Sequence, residues 1–302
     1  MTPRIDLESE VFGTSGKPSG RQAVTEGPSH STTFPWQFFL LTFSFSWLLW
    51  CVPVLMHLGL VPAPAGPALG VLTLATVSLG AFGPAVGALV ASRWEGRKGA
   101  SWLHLRRVFM MRNSLRWYLI PVLLLGLVSL AVWGMPILWG RPLLASPLPT
   151  PWVIPVYLVL MVYLGGGQEE IGWRGFALDR LLSRHNDLVA SLVLGVVWAL
   201  WHLPLWFMTG TSQGFMPFGA FVMMIVSLSV ILTWVYVESG RSMFLAMWTH
   251  GVANAFMAVF PVLVLAAGDQ SRYWTFCCVL AAVALAITLM RGPSRRSGGV
   301  VG

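Results

Sequence analysis

Eight stretches of about twenty mostly apolar residues divide this chain, and no other feature restricts its fold as strongly. They run roughly over 36–60, 69–91, 117–139, 152–168, 188–208, 216–237, 243–267 and 273–290. A helix needs about 20 apolar residues to cross the hydrocarbon of a bilayer. The pattern therefore predicts an all-α, polytopic membrane protein with about eight transmembrane helices. Composition agrees: 10% of the 302 residues are charged and 56% are apolar, at a mean hydropathy of +0.72. Ordinary soluble domains are about 25% charged, so the polar surface is too small to cover soluble domains. The cysteines, Cys51, Cys277 and Cys278, lie inside apolar runs without metal-ligand spacing, which argues against a disulfide scaffold. Sixteen tryptophans and seventeen phenylalanines exclude disorder for most of the chain.

The net charge of +8 can indicate nucleic-acid binding. Here the charges sit in short segments between apolar runs, so they read as membrane orientation and predict no nucleic-acid partner. With the N-terminus in the cytoplasm, 17 of the 19 Lys and Arg residues fall on that side, leaving Arg141 and Arg272 opposite. Both termini are then cytoplasmic. Residues 1–33, rich in Ser, Thr, Gly and Pro, read as a disordered cytoplasmic tail. Residues 34–291 form the eight-helix domain, and 292–302 a short flexible basic tail. The first apolar run starts too late and is too long for a signal peptide. The loop 93–116 mixes arginines with Trp102, Leu103, Leu105, Val108, Phe109, Met110 and Met111. It has two readings, a basic amphipathic segment on the inner leaflet or a plain positive-inside loop.

Ionisable residues are costly inside a bilayer, by about 3 kcal/mol or more at its centre. The few in or beside the spans are His57, Glu169, Glu170, His202, Glu238 and His250, with Asn254 and Arg174 close by. Adjacent glutamates on a helix point about 100° apart, whereas residues four apart share a face. Glu170 is therefore expected to pair with Arg174, leaving Glu169 facing elsewhere without a local counter-charge. A carboxylate in such a setting suits proton transfer; the alternative is a pair of solvated charges at an interfacial helix end. Pro204 removes a backbone donor two residues after His202, so a kink is expected there, with the carbonyl of Leu200 unpaired. His250 and Asn254, at i and i+4, project from one face, and Gly251 and Ala253 leave room for close approach. Each of these has a plain structural alternative, a buried hydrogen bond between helices. His57 is an interfacial imidazole, Glu238 is solvated or paired near Arg241, and Gly83-x-x-x-Gly87 is a packing face. Carboxylates, imidazoles and an amide in three of the last helices must nevertheless seek one another in lipid. Such a set activates water and stabilises an oxyanion.

The run EEIGWRGFALDRLL, with Glu169-Glu170-x-x-x-Arg174, resembles the first signature of the CAAX-processing and bacteriocin-processing (CPBP, Abi-type) intramembrane proteases. Trp198-x-x-x-His202 resembles the second, in which Phe is usual where Trp198 stands, and His250-x-x-x-Asn254 the last. The resemblance covers roughly residues 70–290. It implies an intramembrane endopeptidase of the CAAX prenyl protease type II kind, in a multi-pass protein of the cell membrane, acting near the cytoplasmic face. Its substrate would be a peptide or membrane-anchored protein, prenylated or not, with membrane lipid as the other partner. In that reading Glu169 is the general base and His202 shares the attacking water. His250 and Asn254 hold the oxyanion, and Glu170, Arg174 and Trp198 support them. The family is described both as metalloproteases and as glutamate-type proteases. The metalloprotease label would make Glu169, His202 and His250 the ligands of a Zn2+ ion, although no His-Glu-x-x-His helix is present. Two other functions fit the same residues: a non-catalytic bacteriocin-immunity or scaffolding protein, and a proton-coupled transporter. The lack of inverted repeats counts against the transporter.

Overall fold

Lipid offers the backbone no hydrogen-bond partners, so apolar runs of this length satisfy their own amides by forming helices. The computed structural model describes residues 34–95, 99–111, 113–208, 210–266 and 268–291, and the two expected tails lie outside the described residues. No strand occurs among the described residues. The helices are α1 (Trp36–His57), α2 (Ala68–Gly80), α3 (Gly83–Trp94), α4 (Ala100–Arg106), α5 (Leu115–Gly134), α6 (Ile154–Tyr163), α7 (Glu170–Gly172), α8 (Asp179–Leu182), α9 (Asp187–Trp201), α10 (Phe218–Glu238), α11 (Met243–Val259) and α12 (Ser271–Arg291). The protein is an all-helical, multi-pass membrane protein.

Seven helical stretches among the described residues are long and apolar enough to span. The seventh of the eight expected spans differs. Helix α11 has 17 residues and stops at Val259, not near 267. The reason is Pro261, since a residue preceding proline is pushed out of the helical region, and Phe260 has φ −121° and ψ 80°. At about 1.5 Å per residue α11 is shorter than the hydrocarbon is thick. It lies within the bundle, with most of its residues buried.

The fourth span also departs from expectation. Helix α6 ends at Tyr163, the chain breaks at Gly165–Gly166, and helix resumes through Gly167–Glu169, α7, a π-turn over Trp173–Leu178, and α8. The whole stretch Pro151–Leu182 forms one broken span. Arg174 and Arg180, expected in a cytoplasmic loop, are therefore buried. A break at this depth is tolerated where protein covers the freed backbone, and the carbonyls left by the π-turn find side chains. His104 Nε2 donates to Ile171 O (2.7 Å), Arg107 to Gly175 O (3.1 Å) and Arg180 to Phe176 O (2.9 Å).

Small residues let the first helices close on each other. A Cβ on Gly83 or Gly87 would collide with Ser46 and Thr42 of α1, so the Gly-x-x-x-Gly pair is a packing face as expected. Ser46 Oγ caps this contact on Gly80 O (2.7 Å). Trp50, Trp173, Trp198 and Trp201 are fully buried. The Trp50 and Trp201 rings lie 4.9 Å apart, and those of Trp173 and Trp201 5.7 Å.

Candidate active site

Glycine sets the site's geometry. Gly166 has φ +124°, a conformation that side-chain-bearing residues rarely adopt. A Cβ there would also press on His250 Nε2 and Asn254 Nδ2. The turn at the break of the fourth span is thus held against the polar face of α11. Asn254 Nδ2 donates to Gly165 O (2.7 Å), and the Gly166 amide donates to Gln168 Oε1 (2.8 Å).

Beyond this turn the two glutamates separate as the helical angle requires. Glu170 is fully buried and meets Arg174 Nη1 at 3.0 Å, the expected i,i+4 pair. His250 Nδ1 donates to the same carboxylate, to Oε1, at 2.8 Å. The rest of the guanidinium reaches Ser229 Oγ (3.0 Å) and lies 4.9 Å from the Trp198 ring. Glu169, 5% exposed, faces the other way. Among the described residues it has no ion-pair partner; instead two indoles donate to its Oε2, Trp198 Nε1 at 2.8 Å and Trp173 Nε1 at 3.2 Å. Among the described residues its Oε1 carries no hydrogen bond.

Helix α9 ends at Trp201, and Leu203–Phe207 continues as a 3-10 turn, so the break foreseen from Pro204 falls beside His202. The Leu205 amide turns back to His202 O, and Trp47 Nε1 donates to the carbonyl of Trp201. His202 Nδ1 donates to Trp198 O (2.9 Å), which leaves Nε2 as the acceptor nitrogen. The His250 and His202 rings lie 5.1 Å and 6.1 Å from that of Trp198. The structure thus brings Glu169, Arg174, His202 and His250 against the buried Trp198 indole, with Glu170 on Arg174 and His250 and with Asn254 at the Gly165–Gly166 turn.

As a zinc site the three expected ligands do not fit. Among the described residues no three His, Cys, Asp or Glu side chains gather to hold a metal ion.

Several contributors escape the sequence reading. Gln168 fixes the glycine turn, and its Nε2 is buried without a partner among the described residues. Trp173 is a donor to Glu169, four residues on, and Ser229 steadies Arg174. Only Trp173 had a readable signal, its i+4 position. Glu238 pairs with Arg291 at 2.7 Å, while Arg241 pairs with Asp179 at 3.3 Å. His57 sits 3.0 Å from Thr73 Oγ1.

Residues 150–256 match the family model described as type II CAAX prenyl endopeptidase Rce1-like. Over 107 residues the chain is 35% identical to CAAX prenyl protease 2 of Methanococcus maripaludis, which covers 33% of this chain and 39% of that protein. The chain thus spans about two-fifths of the relative's length in this match. Residues 150–256, which hold all seven of the predicted site residues, are thus similar to the Rce1-like CAAX prenyl endopeptidases, the kind of protein that the motifs resemble.

Proposed function

We propose that the protein is an intramembrane endopeptidase that hydrolyses a peptide bond with a water activated by Glu169. The observation that carries this reading is the buried Glu169 carboxylate, oriented through Oε2 by two indoles while Oε1 has no hydrogen bond among the described residues. Glu169 takes a proton from water as the water oxygen attacks the scissile carbonyl carbon. His202, with Nε2 free to accept, shares that water. Negative charge then builds on the carbonyl oxygen. Asn254 has a second amide hydrogen to offer, since only one is needed for Gly165 O. His250 gives Nδ1–H to Glu170, so its Nε2 donates to the oxyanion when the ring is an imidazolium, balanced by Glu170. The C–N bond breaks as the proton held by Glu169 passes to the leaving amine. No step is routed through a metal, because the donor set does not fit one.

In this reading both termini are cytoplasmic, the membrane is the cell membrane, and the cleaved bond lies near its cytoplasmic face. The substrate is a peptide or membrane-anchored protein. The relative's name makes a prenylated C-terminal peptide the first to try. Glu169→Ala and His202→Ala should each abolish release of product from a quenched farnesylated peptide in detergent-lipid micelles, while the protein elutes and melts as wild type. Wild-type cleavage by folded Glu169→Ala protein would refute the assignment. Uncleaved substrates combined with full biological complementation by Glu169→Ala would favour the scaffolding function.

A further inference from the structure

Away from the active site, a second set of charges is left unbalanced. A cavity of about 390 Å³ opens between the segment after α4 and the turn joining α10 to α11, lined by Arg107, Met110, Asn113, Arg241, Ser242 and neighbouring residues. Two guanidiniums face one buried carboxylate there. Asp179 lies 3.3 Å from Arg241 and 3.8 Å from Arg107. Tyr236, between them, donates to the same carboxylate and accepts from Arg107. The charge left over is positive. Arg241 uses only Nη1 on Asp179, and its side chain is 40% exposed. Arg241 also holds φ +62°, directly after Gly240 at φ +74°, so the turn carries the guanidinium on strained backbone. The first turn of α11 adds to this. Ser242 Oγ accepts from the Leu245 amide, and the remaining first-turn amides of a helix have no intrahelical partner.

The apolar rim identifies the class of ligand. Met110 lines the cavity, and beside it Trp102, Leu103, Phe109 and Met111 are all exposed, Phe109 at 70%. These residues flank Arg106 and Arg107, the arrangement of a segment lying in a bilayer interface. A cavity with surplus positive charge at the level of such a segment meets phosphodiester headgroups. A freely diffusing phosphate would have no use for the rim.

We propose that this cavity binds the phosphate of an anionic phospholipid, with Arg241 and the start of α11 on the phosphate and Met110 along the glycerol and acyl chains. This inference does not depend on the proteolytic reading. Arg107 belongs to both structures, since it lines the cavity and holds Gly175 O in the π-turn after Glu169 and Glu170.

The test is native mass spectrometry of the full chain in detergent with phosphatidylglycerol or phosphatidylcholine. Wild type should retain phosphatidylglycerol roughly fivefold more, the factor that one basic residue gives near an anionic surface. Arg241→Asn, which tolerates the left-handed backbone, should lose that preference. So should Met110→Glu, whose exposed position keeps folding out of the result. Arg93→Gln, at the exposed end of α3, should keep it. Equal retention of the two lipids by wild type, or an unchanged preference in both cavity variants, overturns the proposal. Displacement of the lipid by inorganic phosphate alone, or by a peptide carboxylate but not its amide, also overturns it by assigning the cavity to another anion.

Discussion

Glu170 and Asp179 are buried carboxylates on the same broken span, yet they are neutralised in opposite ways. Glu170 has one guanidinium and one imidazole, and Glu170, Arg174 and His250 are all nearly or wholly shut off from solvent. Asp179 has two guanidiniums and a tyrosine hydroxyl, and both arginines reach the surface. The first cluster is dry, and each member is needed to balance the others. The second is wet at its edge and has a cation to spare. A buried charge that loses its partner costs about 3–5 kcal/mol, whereas an exposed pair is worth about 0–1 kcal/mol. The same kind of bond therefore closes off the candidate site and leaves the outer cluster in reach of solvent.

The largest test of this contrast is Arg174→Met. It keeps much of the side-chain volume but leaves Glu170 with His250 alone in a dry core. We expect a loss of about 3–5 kcal/mol, seen as little monodisperse protein on size exclusion and a large fall in Tm. A variant that melts like wild type would show that Glu170 does not depend on its cation.

A second test uses pH at the segment that joins the two clusters. His104 is buried outside the spans, and desolvation lowers its pKa from 6.5 to about 4 against the favourable bond to Ile171 O. The unfolded chain takes up this proton near pH 6.5 and the folded chain only near 4. Stability from the neutral ring is therefore complete above about 6.5 and falls as the pH drops through 4. The difference approaches about 3 kcal/mol at the acid end, at 1.36 kcal/mol per unit. His104→Gln keeps a donor for the carbonyl but cannot titrate. Its Tm should fall less than that of wild type between pH 7 and 4, and parallel curves would refute the idea.

How much of this was legible in the sequence follows from the range of each interaction. Hydropathy placed the helices, because burial in lipid is decided by each run on its own. The pair Glu170–Arg174 and the shared face of His250 and Asn254 follow from helical spacing. The bond between His250 and Glu170 crosses 80 residues and has no local signal. The same is true of Trp198 on Glu169. Charge counting misread Arg174 and Arg180, since a positive residue beside an apolar run looks the same whether solvated or ion-paired within the bundle. Arg180 is paired with Glu95, from the end of α3. Pro261 was a readable stop for α11, masked by the apolar residues around it.

Trp198→Phe sharpens the contrast at intermediate size. It installs the residue usual in the signature that this motif resembles and removes one indole donor from Glu169, leaving Trp173 at 3.2 Å. A hydrogen bond to a charged group contributes about 1.5–3 kcal/mol, so a Tm loss of that order is expected. Peptide cleavage should persist at a reduced rate, because Phe keeps the ring that packs between the imidazoles. Complete inactivity would mean that Trp173 cannot orient the carboxylate alone.

The smallest effect belongs to Arg241→Asn, and its smallness is informative. Asp179 would keep Arg107 and Tyr236, and Asn accepts the left-handed backbone of residue 241 more readily than Arg. The lost ion pair is partly solvated, so its contribution is at most about 1 kcal/mol, and relief of backbone strain offsets part of it. The variant should melt within a few degrees of wild type, where Arg174→Met does not. If the two substitutions cost the same, the outer cluster is as tightly coupled as the inner one. Arg241 would then be a structural cation with no freedom to meet a headgroup.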